Sequence, residues 1–127
     1  ERVVYCDGKV DRSTGKELQV YGDANLVTLA LINLIRNALQ AVEGQEDGIV
    51  RVDTCAGATG HLLIIITDNG PGIPPERLSA IFTPFFSTKS GGSGIGLPIS
   101  QRIMQLHGGQ LSVSSIPNVR TEFRMEF

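Results

Sequence analysis

The sequence predicts a single two-layer α+β domain, in which helices pack on one face of a mixed β-sheet. Apolar residues recur at helical spacing in two segments, residues 25–42 and 96–106. Apolar and polar residues alternate, as in half-buried strands, at residues 49–54, 110–116 and 120–127, and residues 61–67 are predicted as the antiparallel neighbour of the first of these. Because the strands and helices follow one another without a regular βαβ rhythm, a mixed sheet is favoured over a parallel one.

Capping residues set the bounds of the predicted helices. Asp23 is a good N-cap for the first helix, and Gly44 ends it. The apolar residues that carry its helical spacing are Leu26, Leu29, Ile32, Ile35 and Leu39. Pro98 stands in the first turn of the last helix and Gly108 follows its end. A short helix is predicted between them, at residues 74–81, because two prolines and a glutamate begin it.

Two segments are predicted with less regular structure. Residues 1–21 indicate two short strands around a polar loop at residues 7–16. Residues 87–94 are rich in glycine and serine, which predicts a mobile loop rather than a linker. The strand-like opening at residue 1 suggests a piece of a longer protein.

Composition excludes several classes of function. The chain has 127 residues, enough for one domain, and its net charge of −2 argues against general nucleic-acid binding. The longest apolar stretch, residues 62–66, is too short to cross a membrane, and no signal peptide opens the chain. Cys6 and Cys55 lack neighbours typical of a metal or redox motif, so two free thiols in a cytosolic protein are expected.

The most informative motif is DNGPGI at residues 68–73, which follows a strongly apolar strand. A buried Asp68 is costly without a partner, so it predicts either structural donors or a ligand that donates to it. Gly70 and Gly72 let the backbone pass close to a flat ligand, where a Cβ would obstruct it. The motif suggests a pocket for a base-like group with an exocyclic amine, although the same residues are also typical of an ordinary turn.

Two further motifs carry residues suited to metal ions and phosphates. Asn33 and Asn37 lie one turn apart on the first helix, where either neighbouring strands satisfy the amides or an amide oxygen binds a hard cation such as Mg²⁺. Residues 92–97, GSGIGL, open the last helix, and N–H groups at a helix start attract anions. A flexible hinge explains these glycines equally well. Lys89 is either a phosphate partner or an exposed surface residue.

The remaining candidates favour ordinary structural roles. Three phenylalanines within residues 82–86 are more typical of core than of a site, and they are expected to anchor the start of the loop. His61 begins a strand and His107 ends a helix, so neither is assigned a role. The sequence shows no Ser-His-Asp or Cys-His arrangement and no metal-binding cluster of His or Cys.

Four motifs, in this order, resemble the N, G1, F and G2 boxes of the catalytic ATP-binding domain of bacterial sensor histidine kinases. They are residues 33–38, 68–73, 82–86 and 92–97. The resemblance extends from about residue 20 to residue 127 and includes the LHGG sequence at residues 106–109. It implies a Bergerat-type α/β sandwich. The subgroup that it resembles is the nitrogen-regulation type, on NALQA at residues 37–41 and PFFSTK at residues 84–89.

The resemblance implies a site for ATP and Mg²⁺. Asn37 would bind Mg²⁺ and Asn33 would lie beside the phosphates. Asp68 would accept a hydrogen bond from the adenine amino group, and Thr121 would help to fix the adenine. The residues implied to shape the base pocket are Gly70, Gly72 and Ile73. Those implied to offer backbone N–H groups to the phosphates are Gly94, Ile95, Gly96 and Leu97. Lys89 and Ser93 lie in the segment that matches the ATP lid.

Three departures from the family pattern affect this site. Gln40 and Ala41 stand where many members carry Lys and Tyr, so those two nucleotide contacts are changed or lost, although Ala41 keeps its place at the pocket. Residues 118–120 replace the usual glycine-containing turn, which leaves the geometry of the last hairpin open. Related ATPases carry a general-base Glu where this chain has Asn33, and an amide cannot take a proton from water.

Phosphoryl transfer is therefore favoured over hydrolysis, with an ATPase or a nucleotide-sensing module of the same superfamily as the alternative. Neither His61 nor His107 precedes an acidic residue, as a phosphoacceptor histidine does, so the acceptor is expected on a separate dimerisation domain outside this chain. Residues 1–127 would then form only the catalytic domain. A response regulator would be an indirect partner. The domain is expected in the cytoplasm, without direct contact with a membrane or nucleic acid, whether or not the intact protein is membrane-anchored.

Overall fold

The computed structural model describes residues 3–6, 22–56, 61–84 and 95–127, the first of these ranges as backbone only. The elements are β1 (Val3–Cys6), α1 (Ala24–Ala41), β2 (Ile49–Ala56), β3 (Leu62–Asp68), α2 (Pro75–Leu78), α3 (Gly96–Leu106), β4 (Gln110–Ile116) and β5 (Arg120–Glu126). The remainder of the prediction for residues 1–21, and the loop predicted at residues 87–94, lie outside the described residues.

The strands form one five-stranded sheet in the order β1-β2-β3-β5-β4. β1 pairs with β2 in parallel, whereas the β2–β3, β3–β5 and β4–β5 pairs are antiparallel. The mixed sheet and the closing β4–β5 hairpin are therefore confirmed. Asn118 adopts φ 62° in the turn of that hairpin. Asn tolerates this left-handed conformation better than most residues, so it replaces the glycine that the family pattern would supply.

The inner face of the sheet carries aligned rows of side chains from β2, β3, β5 and β4. Two rows are largely apolar: Val52, Ile66, Phe123 and Val113, then Thr54, Ile64, Met125 and Leu111. They form the core together with α1 and α3. The row at the end of the sheet is mostly polar and consists of Val50, Asp68, Thr121 and Ser115. Polar side chains thus replace core residues at one end of the layer interface.

The helix α1 was predicted with nearly its observed bounds, but much of its predicted apolar stripe is exposed. Leu26, Leu29 and Ile32 are 36%, 43% and 44% exposed. The buried stripe consists of Ala30, Leu34 and Ala38, spaced four residues apart. The prediction of the buried face from apolar spacing was wrong because two of the three buried residues are small alanines rather than large apolar residues. Side chains of this size let neighbouring elements approach α1 closely.

The other helices test the capping predictions. α3 has the predicted bounds, and Gly108 follows it with φ 72°. Gly44 follows α1 with φ 79°, as its predicted role as a stop requires. α2 is shorter than predicted: after Leu78 the chain continues in turns in which the N–H groups of Ala80 and Thr83 bond to carbonyls three residues earlier. No side chain caps this helix.

The opposite face of the sheet carries mostly exposed and half-exposed polar side chains, together with the half-buried Leu63 and Ile65 of β3. Arg51 and Asp53 form an ion pair at 2.8 Å between Nε and Oδ2, and Arg124 and Glu122 form another at the same distance. The helices therefore cover one face of the described sheet, as predicted. Cys55 is a half-buried free thiol. Within the described ranges, no helix is both long and apolar enough to span a membrane.

Candidate functional site

Asp68 lies at the end of β3 in the polar row and is only 4% exposed. Its Oδ1 accepts a hydrogen bond of 2.9 Å from the backbone N–H of Gly70, two residues further on. A carboxylate accepts donors through about four lone-pair positions, so an Asp at this place can bind more than one donor. Asp68 is therefore a buried acceptor held in a fixed orientation by its own loop.

Thr121 and Ser115 complete the polar row next to Asp68. Thr121 is the cross-strand partner of Asp68 and is 4% exposed. Its Oγ1 lies 3.0 Å from Ser115 Oγ, which also accepts a 2.9 Å hydrogen bond from the backbone N–H of Ile73. Ser115 thus connects the turn after β3 to the last hairpin. The sequence predicted a role for Thr121 and Ile73 but not for Ser115.

Gly72 is required by close packing and by its backbone conformation. It has φ 83°, and a Cβ on it would lie 2.8 Å from Pro117 Cα and 2.9 Å from Ser115 Oγ. The N–H of Asn118 also donates to the carbonyl of Pro71 at 2.8 Å. The turn after Asp68 and the β4–β5 hairpin are consequently one packed unit, and only glycine fits at this position without displacement.

Asn69 holds the other side of the same turn. Its Oδ1 accepts the N–H of Ile49 at 2.7 Å, and its Nδ2 donates to the carbonyl of Asp47 at 2.8 Å. Gln45 Nε2 donates to the Asn69 carbonyl at 3.0 Å. These bonds attach the turn to the start of β2 and to the segment that follows α1. Asn69 therefore has a structural role, which the sequence motif alone did not distinguish from a binding role.

α1 connects the Asp68 turn with the start of α3. Near its end, Ala41 adjoins Gly70, where a Cβ would lie 2.8 Å from the Ala41 carbonyl oxygen and 3.0 Å from its Cβ. Two turns earlier, Asn33 adjoins Gly96, and its Nδ2 donates to the Gly96 carbonyl at 3.4 Å. Half-buried Asn37 lies between them on the same side of the helix. At 1.5 Å per residue the two contacts are about 12 Å apart, a length comparable with that of a nucleotide.

The N-terminus of α3 supplies backbone donors beside Asn33. Ile95 is the N-cap residue and has no side-chain cap bond, and the first helical bond runs from the Ile99 N–H to the Ile95 carbonyl at 3.0 Å. The N–H groups of Gly96 and Leu97 belong to the first turn, where intrahelical acceptors are lacking. Such groups favour an anion. The other predicted phosphate-contacting or lid residues, Lys89, Ser93 and Gly94, lie outside the described residues.

The predicted site residues within the described ranges are thus brought together along one edge of the interface between α1 and the sheet. The buried acceptor Asp68 lies at one end, and the N-terminus of α3 lies at the other. Asn33 and Asn37 lie on the side of α1 that connects the two ends. The described residues hold no cluster of three or more His, Cys, Asp or Glu suited to a metal ion. The amide oxygens of the two Asn side chains suit a hard cation, because such an ion can take one protein oxygen and keep water and phosphate as its other ligands.

Comparison with known proteins identifies the family. Residues 22–127 match the family described as histidine kinase-, DNA gyrase B- and HSP90-like ATPase. The chain belongs to this family. Among curated relatives, the sensor histidine kinase ZraS of Salmonella typhimurium is 41% identical over 98 residues, which cover 77% of this chain and 21% of that protein. The sensory histidine kinase/phosphatase NtrB of Vibrio alginolyticus is 38% identical over 112 residues, covering 81% and 32%.

Solved structures agree with this assignment. The mycobacterial sensor histidine kinase MprB has a TM-score of 0.73 at 27% identity, covering 99% of this chain and 81% of that one. The catalytic domain of histidine kinase ThkA has a TM-score of 0.74 at 29% identity, covering 99% and 78%. The resemblance found from the four boxes to histidine-kinase catalytic domains is therefore confirmed, and NtrB is among the matching relatives. The chain is an ATP-binding catalytic domain of the two-component sensor kinase class, and it spans between a fifth and a third of the curated relatives named above.

Proposed function

We propose that this domain binds Mg²⁺-ATP and presents the γ-phosphate to a histidine on a separate dimerisation domain of the same kinase. The observation that carries the proposal is the arrangement along α1, where Ala41 adjoins the Asp68 turn and Asn33 adjoins the start of α3. A ligand that has a donor-bearing flat ring at one end and anionic groups at the other matches both ends. The structure of full-length ShkA in complex with AMPPNP, which is 29% identical with a TM-score of 0.74, supports a nucleotide as that ligand.

The residues divide between the base and the phosphates. Asp68 accepts a hydrogen bond from the adenine amino group, and Thr121 fixes the base from the neighbouring strand. The backbone at Gly70, Gly72 and Ile73 is proposed to shape the pocket. Gly70 packs so closely against Ala41 and Asp68 that a Cβ would not fit there without displacement. The proposed occupant is a flat ring with an exocyclic amine, because the buried Asp68 is a hydrogen-bond acceptor.

At the other end, the N–H groups of Gly96 and Leu97 bind phosphate oxygens at the start of α3. Asn37 would hold Mg²⁺ through its amide oxygen, and the bound ion would supply charge neutralisation for the phosphates. Lys89, Ser93 and Gly94 are proposed to complete the phosphate contacts from the lid segment.

Asn33 favours phosphoryl transfer over hydrolysis. It is half-buried, and its Nδ2 donates to the Gly96 carbonyl, so it braces the phosphate end of the site. An amide at this position cannot act as a general base toward water. Transfer to a positioned acceptor needs mainly alignment and charge neutralisation, which the rest of the site provides. We therefore propose slow hydrolysis and efficient transfer.

The acceptor histidine comes from outside this chain. His107 uses both ring nitrogens in contacts within the fold, and His61 is exposed at the start of β3 and is followed by Leu62. In the proposed function, the phosphorylated histidine then serves a response regulator, which this cytoplasmic domain contacts only indirectly. The isolated domain is expected to bind Mg²⁺-ATP or Mg²⁺-ADP without labelling itself.

The test mixes this domain with the histidine-bearing helical hairpin of the same kinase and ATP labelled on its γ-phosphate. The expected result is acid-labile label on the hairpin and none on the domain alone. A rival proposal is a nucleotide-sensing module, in which ATP binding only switches a partner interface. Saturation with nucleotide, confirmed by calorimetry, together with no transfer to the hairpin would favour that rival.

A further inference from the structure

His107 makes hydrogen bonds that connect the end of α3 to the start of α1. Its Nδ1 lies 2.7 Å from the carbonyl oxygen of Ile103, and its Nε2 accepts the backbone N–H of Asp23 at 3.0 Å. A carbonyl can only accept and a backbone N–H can only donate, so the partners specify the neutral ring with its proton on Nδ1. This ring therefore links the start of α1 to the end of α3 through two residues that are 84 positions apart in the sequence.

The neighbouring residues are arranged around this link. Asp23 is also the N-cap of α1, where its side chain accepts the N–H groups of Asn25 and Leu26 at 2.9 and 3.1 Å. Gly22 lies directly against the imidazole, and a Cβ on it would approach His107 Nε2 to 2.6 Å. The first turn of α1 is thus capped by one side chain and attached to α3 by another.

Two more hydrogen bonds join the same two helices. Ser100 Oγ, which is fully buried, donates to the Ala30 carbonyl at 3.2 Å, and Asn33 Nδ2 donates to the Gly96 carbonyl at 3.4 Å. As the contacts advance along α1, their partners move backward along α3, so the helices are antiparallel. The three hydrogen bonds form a seam that begins at His107 and ends at the nucleotide site.

We propose that His107 is a positioning residue for the phosphate end of that site. This inference rests on the proposed nucleotide binding at Asn37 and the start of α3. His107 is eleven positions after Gly96, which corresponds to about 16 Å along the helix. By fixing the far end of the seam, His107 sets the axial position of the α3 N-terminus relative to Asn33 and Asn37. The phosphates and the metal ion require both helices, whereas the adenine pocket uses the sheet and the last turns of α1.

The test compares two amide replacements of the imidazole. In His107→Gln, the side-chain oxygen can reach the position of Nε2 and accept the Asp23 N–H. In His107→Asn, the shorter amide can reach only the position of Nδ1 and keeps at most the bond to Ile103. His61→Asn provides the matched control, because His61 is exposed and lies outside the seam.

Calorimetry with Mg²⁺-ADP and with adenosine separates positioning from simple stabilisation. In His107→Asn, the Mg²⁺-ADP affinity is expected to fall by about 3- to 10-fold, because the loss of one hydrogen bond in the seam corresponds to a change of this size. The adenosine affinity is expected to stay within about 2-fold, and His107→Gln and His61→Asn should keep wild-type affinity for both ligands. Thermal denaturation establishes that each variant is folded at the temperature of the titration.

Unchanged Mg²⁺-ADP affinity in His107→Asn, or an equal loss for ADP and adenosine, would overturn the proposal, as would an equal loss in His107→Gln. If His107→Asn does not fold, Gly22→Ala disturbs the same link from α1, and the same selective loss for Mg²⁺-ADP is expected. Wild-type affinity in folded Gly22→Ala would then overturn the proposal. A wild-type domain that binds no nucleotide contradicts the proposed function itself, so the two failures are distinguishable.

Discussion

Replacing Asp68 by Asn tests the proposed adenine contact with the smallest change of shape. The variant side chain can still accept the Gly70 N–H through its oxygen, as Asp68 Oδ1 does at 2.9 Å, so the turn is preserved. The other terminal atom becomes an NH₂ group, which in the proposed complex would face the adenine amino group as a second donor. The change therefore removes an acceptor from the base without creating a cavity in the core.

The expected magnitude follows from the burial of this carboxylate. A hydrogen bond to a charged group contributes about 1.5–3 kcal/mol, and an unmatched buried donor costs about 1–3 kcal/mol. Because Asp68 is only 4% exposed, water cannot replace the lost acceptor easily. The two contributions sum to about 2.5–6 kcal/mol, which corresponds to a loss of adenine-nucleotide affinity of about 60-fold to 20,000-fold. The variant is expected to keep its fold, since the turn bond from the Gly70 N–H remains.

Isothermal titration calorimetry with Mg²⁺-ADP measures this effect, and thermal denaturation measures the stability. Asp53→Asn is the matched control, because Asp53 lies on the opposite face of the sheet and forms a partly exposed ion pair with Arg51. Such pairs contribute about 0–1 kcal/mol to stability, and this one is remote from the site. Wild-type affinity in Asp68→Asn, or an equal loss in Asp53→Asn, would refute the assignment of Asp68 to the base.

Three further predictions concern the metal, the turn and the core. Asn37→Ala should reduce the difference in ADP affinity measured by calorimetry with Mg²⁺ and with a chelator, and an undiminished difference would count against Asn37 as a metal ligand. Gly72→Ala should lower the melting temperature by several degrees, because φ 83° and the contact with Pro117 each oppose a Cβ; an unchanged value would contradict this packing. Leu34→Ala should cost about 2–5 kcal/mol in denaturant unfolding, whereas Leu29→Ala, at a site that is 43% exposed, should cost much less, and equal losses would contradict the corrected face of α1.

Local sequence signals predicted the elements well because they act within a few residues. Pro98 and Gly108 define the bounds of α3, and Asp23 caps α1 through contacts with its own first turn. The alternation of apolar and polar residues predicted β4 and β5 with nearly their observed bounds. These features need no knowledge of the rest of the fold.

The misses have a common physical origin in contacts between distant parts of the chain. Ser115 bonds to Ile73 across 42 positions, and His107 bonds to Asp23 across 84, so no local pattern reports either contact. The buried face of α1 was missed because Ala30 is small, although it is fully buried against other elements. Side-chain size and apolar spacing indicate which faces of a helix are suited to burial. Tertiary packing decides which of these faces is buried.

The most direct test of the proposed nucleotide site is an NMR titration of the isotope-labelled domain with Mg²⁺-ADP. The backbone amide signals of Gly70, Ile73 and Gly96 should shift or broaden together as the nucleotide spans the Asp68 turn and the start of α3. The amide signals of Arg51 and Arg124, on the opposite face of the sheet, should change little. Saturable changes centred on Arg51 and Arg124, or no saturable change in the three site amides, would contradict the proposed site.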